Sequence, residues 1–212
     1  MFGSMPRIVR EALFEDREKT MKKLVNFLFE VGMLRKTPRT GYQFLGSGQE
    51  SVADHSLRTT VIGFALAKLT GADWTKVMVM CLFHDLPEAR IGDMNYVNRR
   101  YSSASPERAL QDALEGTGLE QELLPLFEEL EEVNSVEASL AQDADQLDLI
   151  LSLKEELDLG NPYASQWLQH ALERLRTETA QKLAQTILET DHTDWWFQGV
   201  NPKWWSKGNG RH

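Results

Sequence analysis

Cysteine, basic charge and long apolar runs are all scarce in this 212-residue chain, and each scarcity removes a class of protein. The single cysteine, Cys81, excludes an intramolecular disulfide and fits a reducing cytoplasm. It stands in the apolar run VMVMCLF, which suits a buried structural residue better than a nucleophile. No stretch approaches ~18 uninterrupted apolar residues, so no transmembrane span is expected. The N-terminus lacks the basic-then-apolar layout of a signal peptide. Lys and Arg number 23 against 32 Asp and Glu, for a net charge of −9. That field repels nucleic-acid backbones and acidic membranes, so neither is expected as a partner. A small anionic substrate would need a local group of arginines or a metal. Alternating β-branched runs are missing too, which leaves strands incidental at most. The expectation is a soluble cytoplasmic protein of one domain, burying roughly 70% of the surface its unfolded chain exposes.

What is present is helical periodicity. Leu24, Phe27, Leu28 and Val31 recur at helical spacing and predict an amphipathic helix over about 17–33, preceded by an N-terminal segment, 1–16. Ser51 opens a second helix carrying His55, Leu57, Val61, Phe64, Ala65 and Leu69, and Gly71 stops it. Asp73 is an N-cap for a buried third helix through Val77, Met80, Cys81 and His84, ending near Asp85. Pro87 suits the first turn of a short helix after it. Ser105-Pro106-Glu107 starts a helix that Gly116 and Gly118 end, and 119–132 follows. Asn134-Ser135 opens a long helix to about Leu159, and a last long helix covers about 164–190, closing a domain of 17–190. The segments 34–49 and 92–104 read as non-helical connections, where binding groups usually sit on a helical scaffold. The tail, 191–212, holds four of the six tryptophans, in Trp195-Trp196-Phe197 and Trp204-Trp205. It can pack over the helices as a strap, join a dimer interface, or line a ligand site.

Three distant stretches together supply candidate metal donors: Asp54-His55, His84-Asp85 and Asp145 in AQDADQLDLIL. Two imidazoles (His55, His84) and two carboxylates (Asp85, Asp145) suit one divalent transition ion, Mn, Co, Fe, Ni or Zn, with Mg as a further candidate. Four donors on an ion that prefers six leave room for water and substrate, which marks a catalytic site. Asp145 lies on a face with Ala141, Ala144, Leu147 and Leu151, so it should meet a cation or hydrogen-bond donors. A lone His or Asp on such a face is usually a satisfied core residue. The ordered set His…His-Asp…Asp is much harder to obtain by chance.

These residues resemble the H…HD…D motif of the HD-domain phosphohydrolases, and more closely the branch of 5′-deoxynucleotidases. ESVADHS (Glu50–Ser56), HDLPEARIGD (His84–Asp93) and DADQLD (Asp143–Asp148) carry the likeness, with PRTGY (Pro38–Tyr42) upstream, over roughly 20–160. The resemblance implies an all-α HD-domain helical bundle with a central metal site, held by His55, His84, Asp85 and Asp145. Asp143 competes for the last position, but two residues on a helix point about 200° apart, so both cannot reach one ion. It implies Glu88 as an acid/base group, with a helix-start role as the alternative, and Asp93 as a second polar contact at the reacting phosphate or sugar. Arg39 would grip phosphate or sugar oxygens, or be a solvated loop arginine. Tyr42 stands where relatives often have Trp, and Arg99 and Arg100 either bind phosphate or are solvated. The activity implied is hydrolysis of (deoxy)nucleoside 5′-monophosphates to nucleoside and phosphate, by a homodimer. An HD pyrophosphatase or phosphodiesterase on other nucleotides, and a non-catalytic nucleotide sensor, are the alternatives.

Overall fold

A computed structural model describes residues 7–197, and among them every regular element is helical. The order is α1 (Arg7–Val31), a 3₁₀ turn (Gly32–Arg35), α2 (Tyr42–Leu45), α3 (Val52–Thr70), α4 (Trp74–Phe83), α5 (Glu88–Ile91) and α6 (Tyr96–Arg99). There follow α7 (Pro106–Leu114), α8 (Glu120–Glu132), α9 (Val136–Asp158), α10 (Ala164–Leu172), α11 (Glu178–Glu189) and α12 (Asp194–Phe197). The all-α expectation holds. α1 begins earlier than the periodicity implied, and Trp204 and Trp205 lie outside the described residues.

Local chemistry sets the principal helix starts. Ser51 and Asp54 form a capping box: the Ser51 hydroxyl accepts from the Asp54 N–H, and the Asp54 carboxylate accepts from the Ser51 N–H. The Asp73 carboxylate accepts from the N–H groups of Thr75 and Lys76, and the Ser135 hydroxyl from that of Ala138. Gly71, at φ +80°, ends α3 in the left-handed region that glycine enters without steric cost.

α9 is the axis of the bundle. Its Leu140, Ala141, Ala144, Leu147, Ile150 and Leu153 are buried against α3, α4, α10 and α11, while Leu151 is only partly covered. Each fully buried leucine or isoleucine contributes about 1.5–3 kcal/mol of hydrophobic stabilisation. Cys81 packs inside this core, 1% exposed, and burial pushes its thiol up to about 12, as fits a structural residue. α3 and α4 approach so closely at Gly63 that a Cβ there would stand 2.6 Å from the Cys81 Sγ. A second core of Phe27, Leu34, Val52, Leu86, Leu110, Leu114 and Leu123 joins α1, α7 and α8 to the near end of α3.

Three features differ from the sequence reading. Leu57, Val61, Phe64 and Leu69 of α3, and Leu28 of α1, are exposed; α3 instead turns Val52, His55, Thr59, Ile62 and Leu66 inward. The connections 34–49 and 92–104 contain the 3₁₀ turn, α2 and α6. The last long helix is two helices, α10 and α11, broken at 173–177. The break is imposed from outside. Fully buried Asp143 accepts hydrogen bonds from the N–H groups of Arg176 (2.7 Å) and Thr177 (2.9 Å) and from the Thr177 hydroxyl (2.6 Å). Thr177 then caps α11 through Ala180.

Candidate metal centre

Three helices and the turn after α4 deliver the four donors. His55 sits one turn into α3, pointing at α9. His84 stands at the C-terminal end of α4, where its Nδ1–H donates to the otherwise unfilled carbonyl of Cys81 at 2.7 Å. Asp85 follows in the turn before α5, and Asp145 lies on α9, one side chain round from Asp143. His55 Nε2 is 3.1 Å from His84 Nε2, 3.2 Å from an Asp145 oxygen and 3.4 Å from an Asp85 oxygen. His84 Nε2 is 3.2 Å from the same Asp85 oxygen and 3.8 Å from the Asp145 oxygen.

The tautomers show what this arrangement requires. His55 Nδ1 stands 2.6 Å from a carboxylate oxygen of Asp148, an acceptor, and His84 Nδ1 faces a carbonyl, so both Nδ1 atoms carry hydrogen. In neutral rings both Nε2 atoms then present lone pairs to each other, with two carboxylates alongside. Such a cluster is repulsive unless a cation lies among the four donors. Burial opposes a charge on His55, but the Asp145 and Asp148 carboxylates push it up to about 10, so a proton is held when no metal is present. Burial would raise Asp145, and its bond to His55 pulls it down to about 2 instead. The donor set fits a divalent ion with nitrogen and oxygen ligands.

Behind His55 lies a network that the sequence reading passed over. Asp148, fully buried, also accepts from Arg58 Nε, and Arg58 reaches Glu155 (2.8 Å), Glu50 (3.4 Å) and Ser152. An imidazole oriented by a carboxylate on its far nitrogen is the usual support of a histidine ligand. The signal was available: Asp148 follows Asp145 by three residues and Arg58 follows His55 by three, one helical turn in each case.

A cavity of about 180 Å³ opens from the cluster, lined by the other candidates. Glu88 is 8% exposed, and its Oε2 has no hydrogen-bond partner. Burial, with Asp85 and Asp93 nearby, pushes its carboxyl up to about 9, so it keeps its proton at neutral pH. Arg39 Nη1 donates to Asp85 at 3.2 Å. The loop carrying Arg39 is held by a backbone bond from Arg39 N–H to Glu50 and by the Thr40 hydroxyl, which donates to Asp93 at 3.1 Å. Asp93 therefore anchors this loop while lining the cavity. Tyr42 forms part of the wall, its phenol pushed up to about 12 by burial. Gly48, at φ +75°, permits that packing, since a Cβ would stand 2.7 Å from the Tyr42 ring. Arg99 also lines the cavity, whereas Arg100 caps α6 outside it. The tryptophan at this site is Trp167 of α10, edge-on to Phe44 and Tyr96 with ring centroids 6.4 Å apart in each case. In the tail, Trp195 is 86% exposed, and the main-chain N–H of His192 ties the start of the tail to Asp158 of α9.

Known proteins carry the same arrangement of helices. The model of a family described as HD domain matches residues 31–187. The 5′-deoxynucleotidase HDDC2 of Danio rerio is 32% identical over 150 residues, 67% of this chain and 74% of that protein. Its Homo sapiens counterpart is 30% identical over 144 residues, 65% and 70% of the two chains. A solved structure of a conserved hypothetical protein from Pyrococcus furiosus superposes with a TM-score of 0.64 at 31% identity, covering 78% of this chain and 97% of that one. A structure titled as a predicted metal-dependent phosphohydrolase, from Magnetospirillum magnetotacticum, shares the fold at a TM-score of 0.60 and 22% identity, covering 82% and 93%. No described helix is long and apolar enough to cross a membrane. The family match spans α3, α4 with the turn after it, and α9, which carry the histidines and aspartates of the cluster, and the chain belongs to the HD domain family.

Proposed function

We propose that this protein hydrolyses nucleoside 5′-monophosphates, including deoxy forms, to nucleoside and inorganic phosphate, with one divalent ion among His55, His84, Asp85 and Asp145. The observation that carries the proposal is the buried Glu88 carboxyl, whose Oε2 has no hydrogen-bond partner, in the lining of the same aromatic-walled cavity as Asp85 and Asp145 of the donor cluster. A site that only bound nucleotide would gain nothing from an unpaired buried acid, which costs stability. That weighs against a sensor.

A divalent ion in this donor set supplies charge neutralisation for phosphate oxygens and acidification of water. The residues do the rest. Arg39, held beside Asp85, offers its remaining guanidinium N–H groups to phosphate or sugar oxygens. Tyr42 and Trp167 stand where the apolar faces of sugar and base would pack and exclude water. As the P–O5′ bond breaks, Glu88 would give its proton to the leaving oxygen, while the oxygen of water joins phosphorus and the proton that water loses restores the Glu88 carboxyl. Asp93 anchors the Arg39 loop beside the site through Thr40.

A phosphate-release screen over ribo- and deoxynucleotides, with Mn, Co, Mg and Zn supplied separately, tests the proposal. Monophosphates should release phosphate faster than triphosphates or cyclic dinucleotides. Cleavage of triphosphates or phosphodiesters, with none of any monophosphate, would replace this reading with another phosphohydrolase activity.

A further inference from the structure

The break between α10 and α11 does more than interrupt a helix. It brings Arg174 and Arg176 to the far side of the metal centre, where with Arg99 they line a second cleft of about 400 Å³. His84, Asp85 and Asp145 form the inner wall of this cleft, and Gln142 and Gln146 lie along α9 between them and the arginines. Asp85, Arg99, Asp145 and Gln146 line the aromatic cavity as well, so the two spaces meet at the donor cluster.

Arg174 is held by its side chain and Arg176 by its main chain. Asp143, buried below them, fixes the main chain at Arg176 and Thr177. Arg174 lies over the Tyr96 ring, 4.9 Å from its centroid, and Gln146, within 3.4 Å of Arg174, donates to Asp145 at 2.8 Å. Asp85 and Asp145 belong to the metal cluster, which leaves Glu131 as the remaining acid of the lining against three guanidinium groups. With a divalent ion neutralising Asp85 and Asp145, the lining would be net positive in a chain of net charge −9.

We infer that this cleft is a second phosphate site. With the nucleoside in the aromatic cavity and its α-phosphate at the donor cluster, the phosphates beyond it extend towards Arg99, Arg174 and Arg176. Nucleoside di- and triphosphates are then ligands of this centre and compete with monophosphates for it. The inference rests on the proposal that the centre handles nucleotide phosphate, and it concerns binding rather than turnover.

Calorimetric titration of manganese-loaded Glu88→Gln protein, in which turnover is suppressed, with dAMP, dADP, dATP and pyrophosphate tests it. The double variant Glu88→Gln/Arg176→Gln is the comparison; the Arg176 side chain is exposed, and only its main chain bonds to Asp143. If either variant folds poorly, wild-type protein and Arg176→Gln with nucleotide analogues in which a methylene replaces O5′ take their place. The di- and triphosphate should bind about tenfold more tightly than the monophosphate, and Arg176→Gln should erase that margin while leaving dAMP within about twofold. Triphosphate binding no tighter than monophosphate binding overturns the inference, as does an equal loss for both ligands in the variant. Pyrophosphate binding as tight as dADP, and equally sensitive to Arg176, would make this a site for free anions and overturn its assignment to nucleotides. A wild-type enzyme that fails to hydrolyse any monophosphate would sink the proposed activity and leave these affinities unchanged.

Discussion

At the scale of single residues, Glu88 carries the clearest consequences. Its carboxyl is pushed from an ordinary 4.5 to about 9, so the proton it would donate is present at neutral pH and lost as pH rises through the upper value. A divalent ion would neutralise Asp85, one cause of that rise, so the rate of the metal-loaded enzyme should fall on the alkaline side from a pH below that value. Glu88→Ala should lower turnover by roughly 10²–10⁴-fold with metal content retained, the usual scale for a positioned acid or base. An unchanged rate at full metal occupancy would leave Glu88 only its helix-start role. The same shift has a stability sign. Between 4.5 and about 9 the folded protein keeps a proton that the unfolded chain has released, so this group makes stability fall as pH rises through that window. Glu88→Gln removes the penalty: in chelator-treated protein it should raise Tm at pH 8 relative to wild type, with little difference at pH 4. A lower Tm at pH 8 would show that Glu88 is not held protonated. Asp148 makes a separate prediction, since it orients His55 without joining the donors. Asp148→Asn should weaken metal affinity about 10–100-fold, read by metal competition, with the helical circular dichroism unchanged.

At the scale of elements, α9 carries two aspartates with opposite tasks. Asp145 faces the histidines and Asp143 faces the α10–α11 turn, as the angle between positions two apart on a helix requires. Removing Asp143 strands two main-chain N–H groups and a hydroxyl in a buried site. Asp143→Ala should cost about 3 kcal/mol in denaturant unfolding, within the range for breaking a buried hydrogen-bonded carboxylate. Metal binding by the folded protein should persist. Asp145→Ala should lose metal and cost the metal-free fold its bond to His55, while leaving the α10–α11 turn intact. Comparing metal content and unfolding midpoints of the two variants decides which aspartate serves which element.

At the scale of the whole molecule, the donor cluster ties together α3, the end of α4 and α9, helices that also share the main core. A divalent ion there would replace the His55 proton and draw both imidazoles and both carboxylates to one charge, so it should stabilise the bundle as a unit. At a free metal concentration of about 100 Kd, the gain is about 2.7 kcal/mol by mass action. Scanning calorimetry should show Tm rising with added manganese or zinc and falling with chelator. A Tm indifferent to both would mean that the four side chains hold no ion in the folded state.

The starts of α3, α4 and α9 were legible in Ser51, Asp73 and Ser135 because a cap is a bond between residues two or three apart. The order His…His-Asp…Asp was legible for another reason: side chains of those types on apolar helical faces need a cation or a partner wherever the helices cross. Other features were decided at longer range. α3 is apolar round much of its circumference, so periodicity did not choose between the face of Leu57 and Val61 and that of His55 and Ile62. Packing on α9 and the Asp148–Arg58 network chose it. Within 173–177 only Thr177, a cap residue before the acidic Glu178, hints at a new helix; the turn is fixed by Asp143, some thirty positions earlier, and it carries Arg174 and Arg176 to the metal centre. Arg99 and Arg100 are neighbours in sequence, and only the fold places one in the cavity and the other outside it. The raised carboxyl of Glu88 depends on what buries it. The sequence by itself determined the helices, their caps and the chemistry of the donors, which depend on near neighbours. The tertiary structure decided faces, the helix break and charge states, because burial and long-range hydrogen bonds exist only once distant segments meet.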